Sequence, residues 1–91
     1  MSIQVRIPTI LRQHTQGQKL VEGQGKTIND LFTDLDSRHS GLRDRVVTGE
    51  GTLHRFVNVY VNDEDVRFTG GLETELSDGD SVTILPAVAG G

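Results

Sequence analysis

Apolar and polar residues alternate near both ends of the chain. In the first run Ile3, Val5 and Ile7 fall on one side and Gln4 and Arg6 on the other, which predicts a half-buried strand over Ser2–Ile7. Pro8 ends that strand. Residues 9–18 read as a loop or the end of a hairpin, with Gly17 as the turn signal, and Lys19–Glu22 reads as a short return strand carrying Leu20. The period then becomes helical. Ile28, Leu31, Phe32 and Leu35 make one apolar stripe, while Asp34, Asp36 and Arg38 point elsewhere. Thr27 opens this helix, and Asp30, three residues on, nearly completes a capping box and suits the positive helix start. Ser40-Gly41 stops it, and Leu42–Val47 adds one further turn.

The second half is punctuated more often. Thr48–Thr52 is a polar loop containing Gly49 and Gly51. Phe56–Val61 is the clearest strand, with Val57, Val59 and Val61 on one face and Phe56, Asn58 and Tyr60 on the other. Asn62–Asp65 predicts a turn, and Val66–Phe68 a short pairing strand that Gly70-Gly71 breaks. Leu72–Leu76 is long enough for one helical turn. Asp78-Gly79-Asp80 is a tight turn leading into the alternating strand Ser81–Leu85, which Pro86 ends.

The predicted order is β-β-α-β-β-β. One helix must cover both the first and the last strand. The economical solution is an α+β fold of the β-grasp type: a mixed sheet, one main helix across one face, and the terminal strands adjacent at the centre. A ferredoxin-like α+β fold is the alternative on pattern alone, but only one convincing helix is present. The expected organisation is a β-grasp domain over residues 1–86 and a tail over 87–91.

Composition narrows the function classes. A chain of 91 residues makes one small domain, marginally stable without help. It has no cysteine, so disulfides, a cysteine nucleophile and a thiolate metal site are all excluded within it, and a reducing compartment suits it. The start lacks the basic segment and apolar run of a signal peptide, and no apolar run approaches the roughly 20 residues of a membrane span. The expectation is a cytoplasmic protein with no membrane role. Net charge is −4, from 13 acidic and 9 basic residues, without the lysine/arginine cluster that nucleic-acid binding requires. The acidic balance serves solubility or partners with basic faces.

Candidate chemistry within the chain is sparse. His14, His39 and His54 are widely spaced and show no metal-ligand pattern; His39, near a helix end, answers the helix dipole. Asp63-Glu64-Asp65 lacks EF-hand spacing and reads as a solvated turn. Gly70-Gly71 lacks the strand-then-helix context of a phosphate loop, and no serine/histidine/acid constellation is evident. No intrinsic catalysis, bound cofactor or metal is expected.

The tail is the more informative feature. Ala87-Val88-Ala89-Gly90-Gly91 is apolar and uncharged and follows the last strand directly. Its five residues extend to roughly 17 Å, enough to carry a carboxylate into a partner's active site. Glycine lacks Cβ, so Gly90 and Gly91, behind Val88 and Ala89, suit threading through a narrow channel. The terminal carboxylate is ionised at neutral pH and a poor electrophile. Acyl-adenylation with ATP supplies a leaving group; a sulfur nucleophile then displaces AMP and leaves a thiocarboxylate. On the last strand, alternation places Val82 and Ile84 inward and Thr83 and Leu85 outward. Leu85, Tyr60 and Phe56 are therefore the expected docking patch beside the tail.

The run Leu-Ser-Asp-Gly-Asp-Ser-Val-Thr-Ile-Leu-Pro-Ala-Val-Ala-Gly-Gly, from Leu76 to Gly91, resembles the end of the MoaD/ThiS family of ubiquitin-fold sulfur carriers. Turn, strand, proline and Gly-Gly fall in register. The runs Ile7–Arg12 and Leu53–Arg67 resemble more narrowly the CysO branch of that family, a likeness that covers essentially the whole chain. The resemblance implies a β-grasp fold, a thiocarboxylate at Gly91, and partners that hold the cofactors. A MoeB/ThiF-like enzyme would adenylate Gly91 with Mg-ATP, and a persulfide-bearing protein or other sulfide source would supply sulfur. A PLP-dependent, cysteine synthase-like acceptor would use it with O-phosphoserine, and a JAMM-type zinc metalloprotease would release cysteine. Thiamine, molybdopterin or natural-product (thiosugar-type) pathways are alternative destinations. So are protein conjugation and a subunit role in a stable complex. Residues 9–18 and 42–52 make the chain longer than compact MoaD proteins, and Pro86-Ala87 stands where Pro-Pro is frequent; both depart most from a molybdopterin role.

Overall fold

The computed structural model describes residues 2–55 and 57–86. Five strands form one sheet in the order β2-β1-β5-β3-β4. They are β1 (Ile3–Arg6), β2 (Leu20–Gly23), β3 (Val57–Val61), β4 (Glu64–Asp65) and β5 (Ser81–Pro86). Strands β1 and β5 pair in parallel at the centre, with Val5 opposite Val82. β2 and β3 flank them antiparallel. Helix α1 (Ile28–Arg38) lies across one face, followed by the short α2 (Leu42–Val46). This is the β-grasp arrangement.

The main helix forms for the reasons its sequence predicts. Thr27 is the N-cap, and its hydroxyl accepts a hydrogen bond from the Asp30 amide at 3.1 Å. Ile28, Leu31, Phe32 and Leu35 are all buried against the sheet residues Ile3, Val5, Val59, Val82 and Ile84. Each such side chain contributes about 1.5–3 kcal/mol by leaving water. After the helix ends, one Asp36 carboxylate oxygen accepts from both the Gly41 and Arg43 amides, at 3.1 and 3.2 Å, which ties α1 to α2. Gly25 permits a close pass: a Cβ there would stand 2.5 Å from the Leu31 backbone nitrogen.

Four local expectations differ from the structure. Residues 9–18 are not all loop: Thr9–His14 is a 3-10 helix that buries Leu11. On the return strand Leu20 faces out, 49% exposed, and Val21 takes the inward position. Val66–Phe68 is a 3-10 helix, not a strand; the strand lies two residues earlier, at Glu64–Asp65. The cause is the Asn62-Asp63 turn. Both residues have positive φ, 50° and 73°, as a two-residue hairpin loop requires, so pairing resumes at once with Glu64 opposite Val61. The Asp65 carboxylate then accepts from the Arg67 amide at 2.9 Å and starts the helical turn. Finally, β5 takes in Pro86, opposite Val57, one residue beyond the expected Leu85. The helical turn expected over Leu72–Leu76 is a 3-10 helix at Gly71–Glu73.

Candidate functional site

Strand β5 carries two kinds of residue in strict alternation. Val82 and Ile84 are fully buried, whereas Leu85 is 44% exposed and Thr83 half-buried on the other side. The helix layer covers the first pair. The second pair belongs to the open face of the sheet. Register brings specific neighbours onto that face: Thr83 stands opposite Arg6 of β1 on one side and Tyr60 of β3 on the other. Tyr60, half-buried, therefore lies beside the outward residues of β5, as alternation predicts.

Leu85 borders two shallow hollows. One, of about 190 Å³, is lined by Leu85, Thr83, Tyr60 and Asp63. The other, of about 260 Å³, includes Leu85, Pro86, Ile10, Arg6 and Arg12. The second includes Pro86, the last described residue of β5. Of the expected site residues, the structure thus brings Leu85 and Tyr60 together. Phe56, Val88, Ala89, Gly90 and Gly91 lie outside the described residues.

Ile10 was not visible as a site residue in the sequence, although it is 58% exposed and shares a hollow with Leu85. Its neighbourhood arises because the 3-10 helix that follows Pro8 places Ile10 in the same hollow as Leu85 and Pro86. Arg6, Arg12 and Asp63 reach the same face by register and turn geometry. The only sequence signal for Ile10 was two adjacent aliphatics in a segment otherwise polar enough for a loop. Phe68, 86% exposed on the 3-10 helix after β4, borders neither hollow.

The histidines stay apart. His14 Nδ1 lies 3.4 Å from the Ser40 carbonyl oxygen, His39 is the C-cap of α1, and the His54 amide donates to the Val46 carbonyl. Among the described residues no group of three or more His, Cys, Asp or Glu side chains is placed to hold a metal ion. Asp78 and Asp80 act as turn residues. Asp78 accepts from the Ser2 amide at 2.7 Å, Asp80 from the Ser77 amide at 2.8 Å, and Gly79 between them has φ +88°. No described helix is long and apolar enough to cross a membrane.

The ThiS family pattern matches residues 5–91. Sulfur carrier protein CysO of Mycobacterium tuberculosis is 59% identical over 93 aligned positions, spanning 100% of both chains. The solved structure of the Amycolatopsis orientalis BexX/CysO complex contains a chain 62% identical, superposing with a TM-score of 0.91 over 98% of this chain and 99% of that one. Small archaeal modifier protein 3 of Haloferax volcanii is 37% identical over 65 residues, 71% of this chain and 70% of its own length. Sequence and fold agree over the whole described chain: it belongs to the ThiS family of ubiquitin-like β-grasp proteins.

Proposed function

We propose that this chain is a sulfur carrier: a substrate of enzymes and not itself a catalyst. The observation that carries the reading is its 59% identity, end to end, with a sulfur carrier protein. The Gly91 carboxylate attacks the α-phosphorus of Mg-ATP in a MoeB/ThiF-like enzyme, pyrophosphate leaves, and an acyl-adenylate forms. A sulfur nucleophile then adds to that carbonyl and expels AMP, leaving a thiocarboxylate. Gly90, Ala89 and Val88 thread the partner's channel, and Leu85 and Tyr60, with Phe56, form the docking patch. Residues 1–86 act as the globular handle and 87–91 as the delivered tail.

The receiving pathway is cysteine biosynthesis from O-phosphoserine, through a PLP-dependent cysteine synthase-like acceptor and a JAMM-type zinc metalloprotease. ATP, PLP and zinc are held by those partners. The absence of cysteine from the chain suits the reducing cytoplasm in which such a carrier works. A relative co-crystallised with BexX supports an enzyme partner for this chain too.

A second reading draws on the 37% identity to an archaeal modifier protein: Gly91 ends in an isopeptide bond to lysine. Conjugation produces ladders of higher mass, whereas sulfur carriage does not. The terminal mechanism itself is tested by deleting Gly91 or adding one residue after it. ATP–pyrophosphate exchange with the activating enzyme should vanish in both variants while thermal melting is unchanged. Undiminished exchange in either variant contradicts activation at this terminus.

A further inference from the structure

The sequence carries two lysines, Lys19 and Lys26, against seven arginines. An activated Gly91 is an acylating agent, and amines are among the groups it acylates. The cationic side chains that share a hollow with Pro86, Arg6 and Arg12, are guanidinium groups, which keep their protons and are not nucleophiles. The placement of the two lysine amines therefore decides whether the chain can consume its own terminus.

Strand pairing puts Lys19 at the same end of the sheet as Pro86. Its carbonyl accepts from the Ile7 amide at 2.8 Å, and the next residue, Leu20, pairs with Arg6, which pairs in turn with Thr83. Lys19 therefore stands two strand spacings from β5, about 10 Å, and two residues' rise, about 7 Å, short of Pro86. The diagonal is about 12 Å. Residues 87–91 span up to roughly 17 Å, so the Gly91 carbonyl reaches Lys19 even before the lysine's own side chain is counted. Lys19 is exposed, and its ammonium has no ion-pair or hydrogen-bond partner among the described residues. Lys26 lies at the other end. Gly23, three residues before it, pairs with Ile3, and the Lys26 carbonyl accepts from the Leu76 amide at 2.8 Å, just ahead of the turn that leads into β5. Pro86 is about 20 Å from that end along the strands.

We propose that Lys19 is the intramolecular acceptor of the activated terminus: when sulfur does not arrive, the chain closes on itself. This rests on the terminal-activation reading above. The Lys19 nitrogen gives up a proton and forms a C–N bond to the Gly91 carbonyl carbon. The bond from that carbon to the phosphate oxygen breaks, and AMP leaves with the electron pair. The product is a ring closed by an isopeptide bond, with no terminal carboxylate left to activate. A five-residue tether holds the two groups at an effective concentration on the order of millimolar, so a released acyl-adenylate meets Lys19 before a lysine of any dilute second protein. The outcome depends on where the tail is. Drawn out by about 17 Å into an enzyme's channel, the Gly91 carbonyl lies beyond the lysine, and sulfur is the nucleophile it meets. Once the terminus is a thiocarboxylate it is itself a nucleophile, and Lys19 has no electrophile to attack.

Parent, Lys19→Arg and Lys26→Arg chains should be incubated with the purified MoeB/ThiF-like enzyme and Mg-ATP, with and without sulfide, and weighed intact. Without sulfide the parent should yield a monomer lighter by one water, and peptide mapping should join Gly91 to Lys19. Lys19→Arg should reduce that species by at least about tenfold, Lys26→Arg should leave it unchanged, and saturating sulfide should suppress it. All three chains should melt alike and support equal ATP–pyrophosphate exchange. Three results overturn the inference and leave terminal activation standing: exchange without the lighter monomer, a lighter monomer that survives Lys19→Arg, or a product of twice the mass in its place. Absence of exchange from the parent, with an enzyme active on a known carrier, overturns both.

Discussion

Strand β5 presents two faces that share a backbone but differ in what covers them. Val82 and Ile84 lie under α1 and are fully buried with Phe32 and Leu35. Thr83, between Arg6 and Tyr60, and Leu85, opposite Asn58, stand on the open side, with no layer above them among the described residues. One parity of the strand therefore carries stability, and the other is available for recognition. Because the side-chain period is two, a partner-facing residue can change without opening a cavity beneath it. A one-residue slip would exchange the two roles, and this makes the comparison easy to break.

The largest effect is expected from Ile84→Asp. A 91-residue domain is held by about 5–13 kcal/mol. An unpaired carboxylate in its core costs several of them. Circular dichroism should show a chain largely unfolded at room temperature; a parent-like melt would mean that Ile84 is not in the core. Next comes Leu85→Asp, which should melt like the parent but bind the activating enzyme more weakly by at least about 2 kcal/mol, the threshold of an interface anchor. Should it melt like Ile84→Asp, the two faces of β5 are not separable. If it melts and binds normally, the docking patch is elsewhere. The smallest change sharpens the contrast from the helix layer. Thr27→Ala removes the cap on the Asp30 amide and should cost about 1 kcal/mol, lowering Tm by about 4–8 °C. Its affinity for the activating enzyme should not move, since it touches only the covered face; a loss of affinity would show that the faces are coupled.

The parts legible in the sequence are those governed by one local rule. The stripe Ile28, Leu31, Phe32 and Leu35 and its Thr27 cap predict α1 within one residue of its start, and alternation predicts which face of β5 Ile84 and Leu85 occupy. The central pairing of β1 with β5 follows from having one helix to cover both. Errors cluster where two rules compete. Val66–Phe68 has strand-like residues, but the positive-φ turn at Asn62-Asp63 spends its pairing register two residues earlier. Leu20 and Val21 compete for the inward position, and the register with Arg6 and Val5 decides for Val21. The site divides in the same way. Leu85 and Tyr60 are readable from alternation alone. Arg6 is outward by the same alternation, but its place opposite Thr83, and the hollows that Ile10, Arg12 and Asp63 share with Leu85, come from strand pairing and turns that no single window of sequence contains.

The claim on which the account turns is the conversion of a carboxylate to a thiocarboxylate at Gly91. Purified chain should be incubated with the MoeB/ThiF-like enzyme, Mg-ATP and sulfide and then weighed intact by mass spectrometry. The predicted result is a single species heavier by the exchange of one oxygen for one sulfur. That species should require ATP and should be absent when Gly91 is deleted. An unchanged mass under conditions where the enzyme activates a known carrier, or the same mass gain in the Gly91-deleted chain, would contradict it.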